Sequence, residues 1–118
     1  SNTPVQLGLA DFLAAHPEHH RNLGAFYQRK RDLLCTLLAD SRFRVVPSAG
    51  TYFQLLDYSA ISAERDVELA RRLTVEHKLA SIPVSVFYGA DPGHRMLRLC
   101  FAKDDATLHR AAEILCAL

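Results

Sequence analysis

The chain has 118 residues, 49% of them apolar, and a formal charge of +1. This length fits one domain, or one domain with an appended piece, and the near-neutral charge supplies no field to draw nucleic acid or an anionic membrane surface. No apolar run approaches the ~20 residues that span a bilayer, and the start lacks the basic flank and apolar run of a secretory leader, so a cytoplasmic protein without nucleic-acid or membrane partners is expected.

Thr3 reads as an N-cap and Pro4 as the first residue of a short helix ending near Ala15, with Val5, Leu9, Phe12 and Leu13 on one face. His16-Pro17 breaks it, because the residue before a proline is pushed out of the helical region. Pro17 then opens a long helix reaching about Ala39, in which Leu23, Phe26, Tyr27, Leu33, Leu34, Leu37 and Leu38 recur at helical spacing. That length exceeds the mean of about 11 to 12 residues, and suggests a helix crossing between two bodies of a larger protein.

From residue 43 the pattern changes. Phe43, Val45 and Pro47 mark a short strand, Ser48-Ala49-Gly50 a turn, and residues 51–57 a more buried strand. Ser62 is the expected cap of the next helix, with Glu64 and Asp66 complementing its dipole and Val67, Ala70 and Leu73 as its core stripe. Residues 79–84 form a short strand with Pro83 confined to its end or an edge, and residues 85–93 a loop carrying Phe87-Tyr88. A strand over 96–102 follows, and Asp104 caps a last helix that turns Leu108, Ala111, Ala112, Leu115 and Leu118 to the core. The order strand, strand, helix, strand, strand, helix implies an α+β layer with helices on one face of a small sheet, preceded by two helices that lie outside it. The boundary falls between residues 1–40 and 41–118.

Arg98 is the anomaly in this pattern. Leu97, Leu99 and Phe101 share one face of their strand, and Met96, Arg98, Cys100 and Ala102 the other, so a guanidinium stands in the middle of an otherwise apolar segment. Such a charge is costly unless paired. Its partner is either Asp57, on another strand, or a carboxylate arriving from outside that the planar fork would hold by two parallel bonds.

Other candidates are weaker. Phe87 and Tyr88 either line a ligand site or pack their loop down. His16, His19 and His20 lack a further metal ligand, and Arg29-Lys30-Arg31 reads as a solvent face. Cys35, Cys100 and Cys116 form no CxxC pair and read as small buried hydrophobes. With no nucleophile motif, no phosphate loop and no lysine in a burying context, the chain does not hold a complete active site.

Thr3-Pro4-Val5-Gln6, Gly50-Thr51-Tyr52-Phe53, Ile82-Pro83-Val84-Ser85-Val86-Phe87-Tyr88 and Arg98-Leu99-Cys100-Phe101-Ala102-Lys103, in this order, closely resemble the C-terminal third of class I/II aminotransferases of fold type I. The kynurenine, methionine and glutamine-phenylpyruvate branch is the most similar. The resemblance covers essentially the whole chain. It implies a homodimeric enzyme that uses pyridoxal 5'-phosphate to move an amino group from an amino acid to a 2-oxo acid. Residues 1–40 would then be helices of the large domain and the interdomain linker, and residues 41–118 the small domain. Arg98 would grip the substrate α-carboxylate, with Phe87 and Tyr88 bordering the cleft, while Asn2 and Thr3 match a segment that approaches the neighbouring subunit's active site. The family's cofactor lysine, the acid facing the pyridine nitrogen and the phosphate-binding groups have no counterpart here, so no catalytic or cofactor-binding residue is assigned and the chain alone should be inactive. Element order by itself also allows a regulatory module that binds an amino acid, or a dimerisation domain.

Overall fold

The computed structural model describes residues 2–118. Four strands, β1 (Arg44–Val45), β2 (Phe53–Asp57), β3 (Ile82–Pro83) and β4 (Met96–Cys100), form one sheet in the order β1-β2-β4-β3. Every neighbouring pair is antiparallel. The central register sets Gln54 opposite Leu99, Leu55 opposite Arg98 and Leu56 opposite Leu97. Because side chains alternate along a strand, one face collects the fully buried Leu56, Leu97 and Gln54, and the other carries Phe53, Leu55, Met96, Arg98 and Cys100.

The helices cover the first face. Leu69 and Leu73 of α3 (Asp66–His77), Leu108, Ala112 and Leu115 of α4 (Asp105–Cys116), and Leu34 at the end of α2 (His19–Leu37) close the core together with Leu38, Tyr58 and Phe101. The expected α+β layer and its element order are thus observed. Helix α4 begins as read, since Asp104 accepts the Thr107 N–H at 2.7 Å.

Elsewhere local chemistry shifts the expected boundaries. Asn2, not Thr3, caps α1 (Thr3–Ala15), accepting the Val5 N–H at 3.4 Å, and α2 starts at His19 rather than at Pro17. Arg65 takes the cap position of α3 that Ser62 was expected to hold, because the buried Tyr58 donates to the Glu64 carbonyl at 2.8 Å and keeps the preceding residues in a turn. Within α3, Leu69 and Asp66 are buried while Val67 is 43% exposed. Strand β1 shrinks to two residues because the Gln54 amide, at 2.6 Å from the Val46 carbonyl, takes over a bonding group that a longer ladder would have used. Strand β3 is equally short: Lys78 turns the chain in the left-handed region at φ 58°, and Leu79 drops into the core. Cys35 and Cys100 are half-buried, but Cys116 is exposed, against expectation.

Helix α1 contributes no buried residue. Val5, Leu7, Leu9, Phe12 and Leu13 of α1, with Leu23 and Phe26 of α2, remain between 36% and 65% exposed. The chain accordingly has a radius of gyration of 17.1 Å and extends 51 Å along its long axis, whereas a compact domain of this length has a radius of about 13 to 14 Å. Among the described residues, no helix is long and apolar enough to cross a membrane.

Candidate active-site face around Arg98

Arg98 lies at the centre of the uncovered sheet face, opposite Leu55 of β2 and Ile82 of β3. Its guanidinium carbon is 4.1 Å from the Phe53 ring centroid and 4.8 Å from that of Phe87. Phe53 stands two pairs further along the ladder, opposite Cys100 and on the same face as Arg98, so the sheet register delivers it. Phe87 arrives from a 3-10 turn, Ser85–Phe87, that follows β3. Ring faces attract the cation but cannot accept its in-plane N–H bonds in the way an oxygen does.

Those donors are left open. The Arg98 Nε is buried without a hydrogen-bond partner, and among the described residues no carboxylate forms an ion pair with this side chain. Asp57, the internal candidate, is engaged elsewhere. It sits opposite Arg44 and Met96, and its Oδ2 accepts from Arg44 Nη2 at 2.7 Å and Nε at 3.1 Å. The Ser59 N–H, donated to Oδ1 at 2.9 Å, and the Arg44 guanidinium hold its pKa below the usual carboxylate range. The two-way choice left by the strand pattern therefore loses its internal branch.

Of the residues singled out with Arg98, the structure brings Phe87 to it and not Tyr88, whose ring packs instead against His94 at 5.9 Å. Phe53 and Asp66 were not among the expected site residues. Phe53 is visible only once the β2–β4 register is known. Asp66, 3% exposed, is more than a dipole partner of α3: its carboxylate accepts the Ser85 N–H at 2.7 Å and the Ser85 hydroxyl at 2.6 Å.

The remaining candidates resolve into packing. His16 and His19 flank the Phe12 ring at 5.0 and 5.1 Å, and among the described residues no cluster could hold a metal. Lys30 is not part of a solvent face: its ammonium meets Asp105 at 2.6 Å and ties α2 to the start of α4. Lys78 donates to the Val75 carbonyl. Burial pushes the Cys35 thiol up, away from the reactive thiolate.

Residues 1–115 match the family model of aminotransferase class I and II. The chain belongs to this family. Over 113 residues it is 55% identical to the methionine aminotransferase of Escherichia coli K12, covering 95% of this chain and 29% of that protein. It is 32% identical to the kynurenine–oxoglutarate transaminase of Dictyostelium discoideum, covering 98% of this chain and 32% of the relative. The solved structure of YbdL from Escherichia coli, described as having a methionine aminotransferase function, superposes with a TM-score of 0.91 at 52% identity over 99% of this chain and 31% of that one. The chain thus spans less than a third of the length of these aminotransferases. Class I and II aminotransferases depend on pyridoxal 5'-phosphate. The described residues do not form a holder for that group: none of the four strands carries a lysine, Lys30 and Lys78 are committed to Asp105 and the Val75 carbonyl, and Lys103 lies beyond the end of β4.

Proposed function

We propose that this chain is the small domain, with its connecting helices, of an aminotransferase that moves an amino group from an amino acid to a 2-oxo acid. The observation that carries the reading is the Arg98 guanidinium, set against Phe53 and Phe87 with no carboxylate partner among the described residues. In that role Arg98 binds the substrate α-carboxylate with two charge-assisted bonds and so orients the Cα–H bond for cleavage. Phe53 and Phe87 exclude water from the pair, which strengthens it, and Tyr88 borders the same cleft further out. Pyridoxal phosphate, when bound by the rest of the enzyme, supplies the electron sink that stabilises the negative charge left at Cα.

Residues 1–40 act as large-domain and linker helices and residues 41–118 as the small domain, which accounts for the apolar surface of α1 and of the first half of α2. The enzyme works as a homodimer in the cytoplasm, and the 118-residue chain alone is inactive. The relatives' names and the aromatic wall beside Arg98 favour methionine, aromatic or kynurenine-like amino acids as donors. The test is 2-oxo acid production from such donors by the full-length protein. Cofactor-loaded protein that transfers no amino group from any of them overturns the proposal, as does a full-length protein that stays colourless after incubation with pyridoxal phosphate.

A further inference from the structure

Phe87 presents a problem of placement. The residue is 60% exposed, so burial alone cannot hold it against Arg98, and the residues after it form an irregular, largely exposed segment. Ladder bonding near the turn is also thin, the Val84 N–H reaching the Met96 carbonyl at 3.3 Å. What holds the turn firmly is Asp66. This carboxylate sits in the first turn of α3, almost without solvent contact, and spends both oxygens on one residue, Ser85, which begins the turn carrying Phe87. A buried carboxylate is retained only where its oxygens are bonded, and two short bonds to the same residue fix that residue's position and its backbone orientation together.

We infer that Asp66 and Ser85 are positioning residues for substrate binding: their two hydrogen bonds lock the 3-10 turn so that Phe87 stays against Arg98 and keeps the guanidinium oriented and dehydrated for a carboxylate. The inference rests on the proposed role of Arg98 and extends it to residues that touch no substrate. The chain of contacts is short: Asp66 bonds Ser85 at 2.6 and 2.7 Å, Ser85 and Phe87 share one 3-10 turn, and the Phe87 ring lies 4.8 Å from the Arg98 guanidinium carbon. Asp66→Ala removes both bonds and frees the turn. Ser85→Ala removes the hydroxyl bond and keeps the N–H bond. Asp66→Asn is the conservative replacement, since its carbonyl accepts the Ser85 N–H and its amide donates to the Ser85 hydroxyl.

The experiment uses full-length holoenzyme carrying Asp66→Ala, Ser85→Ala, Asp66→Asn and Arg98→Ala, together with the Asp66→Ala/Arg98→Ala and Ser85→Ala/Arg98→Ala pairs. It reads KM and kcat for an amino acid donor and, by calorimetry, the Kd of an unreactive monocarboxylate, hexanoate. Asp66→Ala should raise KM and Kd about tenfold with kcat within about threefold, Ser85→Ala should do so by a smaller factor, and Asp66→Asn should restore most of the loss. In the Arg98→Ala background the same changes should have no further effect on KM or Kd, because the two sites act through one contact. If Asp66→Ala or Ser85→Ala lowers activity by the same factor with and without Arg98, the latch is merely structural and the inference falls. If Asp66→Ala fails to fold, the Ser85→Ala cycle decides alone. Failure of the underlying reading has its own signature: Arg98→Ala itself would leave KM and Kd unchanged.

Discussion

Replacing Arg98 removes a charge whose bonding capacity the described residues leave unused, so the loss should fall on the substrate and not on the fold. Truncating one partner of a desolvated, hydrogen-bonded charge pair costs about 2 to 5 kcal/mol, which corresponds to roughly 30-fold to several thousand-fold in kcat/KM. Arg98→Lys keeps the charge and loses the fork. With one charge-assisted bond of about 1.5 to 3 kcal/mol missing, a drop of roughly 10- to 150-fold is expected. The ring contacts to Phe53 and Phe87 are also lost in Arg98→Ala, at a cost of about 0.5 to 2 kcal/mol, so a packing defect must be separated from a binding defect. Arg98→Met does this, since it keeps an unbranched stem of similar reach against both rings and removes only the charged head. The assay is initial-rate transamination by the full-length enzyme over a range of donor concentrations, with thermal melting alongside. Arg98→Met should lose as much kcat/KM as Arg98→Ala while melting near the wild-type temperature. A kcat/KM within about threefold of wild type in either variant would refute the carboxylate role.

Burial raises the Tyr58 pKa to about 12, whereas an unfolded tyrosine titrates near 10. Between those values the unfolded chain sheds a proton that the folded chain keeps, so this group's stabilising contribution is complete below pH ~10 and declines as pH rises toward ~12. Tyr58→Phe should therefore cost about 1 kcal/mol at pH 8, from the lost bond to the Glu64 carbonyl, and the gap to wild type should narrow at pH 11. Denaturant midpoints of the full-length enzyme measure it, and an equal gap at both pH values would contradict the account. Gln54→Ala should speed amide exchange in the peptide containing Ser48, whose N–H donates to the Gln54 side chain at 3.3 Å, while leaving β4 protected; mass spectrometry after brief deuterium exposure reads this directly. In the 118-residue chain by itself, α1 amides should exchange almost without protection, because a 13-residue helix with nothing buried is marginal in water. Protection in α1 equal to that of β4 would show that its apolar face is covered after all.

How far the sequence carried the reading depended on the range of the forces involved. The face of β4 that buries Leu97 and Leu99, continued by Phe101 just past the strand, was legible because strand periodicity is a local property, and so was the Asp104 cap. The partners of Arg98 were not, because they depend on the register of β2 against β4 and on a turn placed by α3. Phe53 becomes a wall of the site only when it falls two pairs from Arg98 across the ladder, on the same face. Asp66 looked like a residue complementing a helix dipole, since the serine that claims it lies 19 positions further along. The same limitation explains β1: alternation of Phe43, Val45 and Pro47 suggested a longer strand, and nothing local announces that the side chain of Gln54 will compete for the backbone of Val46 and Ser48. The apolar stripe on α1 was read correctly as a helical face, but a stripe does not say what covers it.

The shortness of the two outer strands has a bearing on self-association. Exposed strand edges invite other chains to extend the sheet, yet β1 offers two residues, one of them the ion-paired Arg44, and β3 offers two, one of them Pro83, which has no N–H to donate. Both borders are thus poor templates for edge-to-edge growth. A concentrated solution of the chain should consequently form helix-mediated, detergent-reversible oligomers through the greasy flank of α1 and α2, and should resist conversion to cross-β fibrils seeded from its sheet.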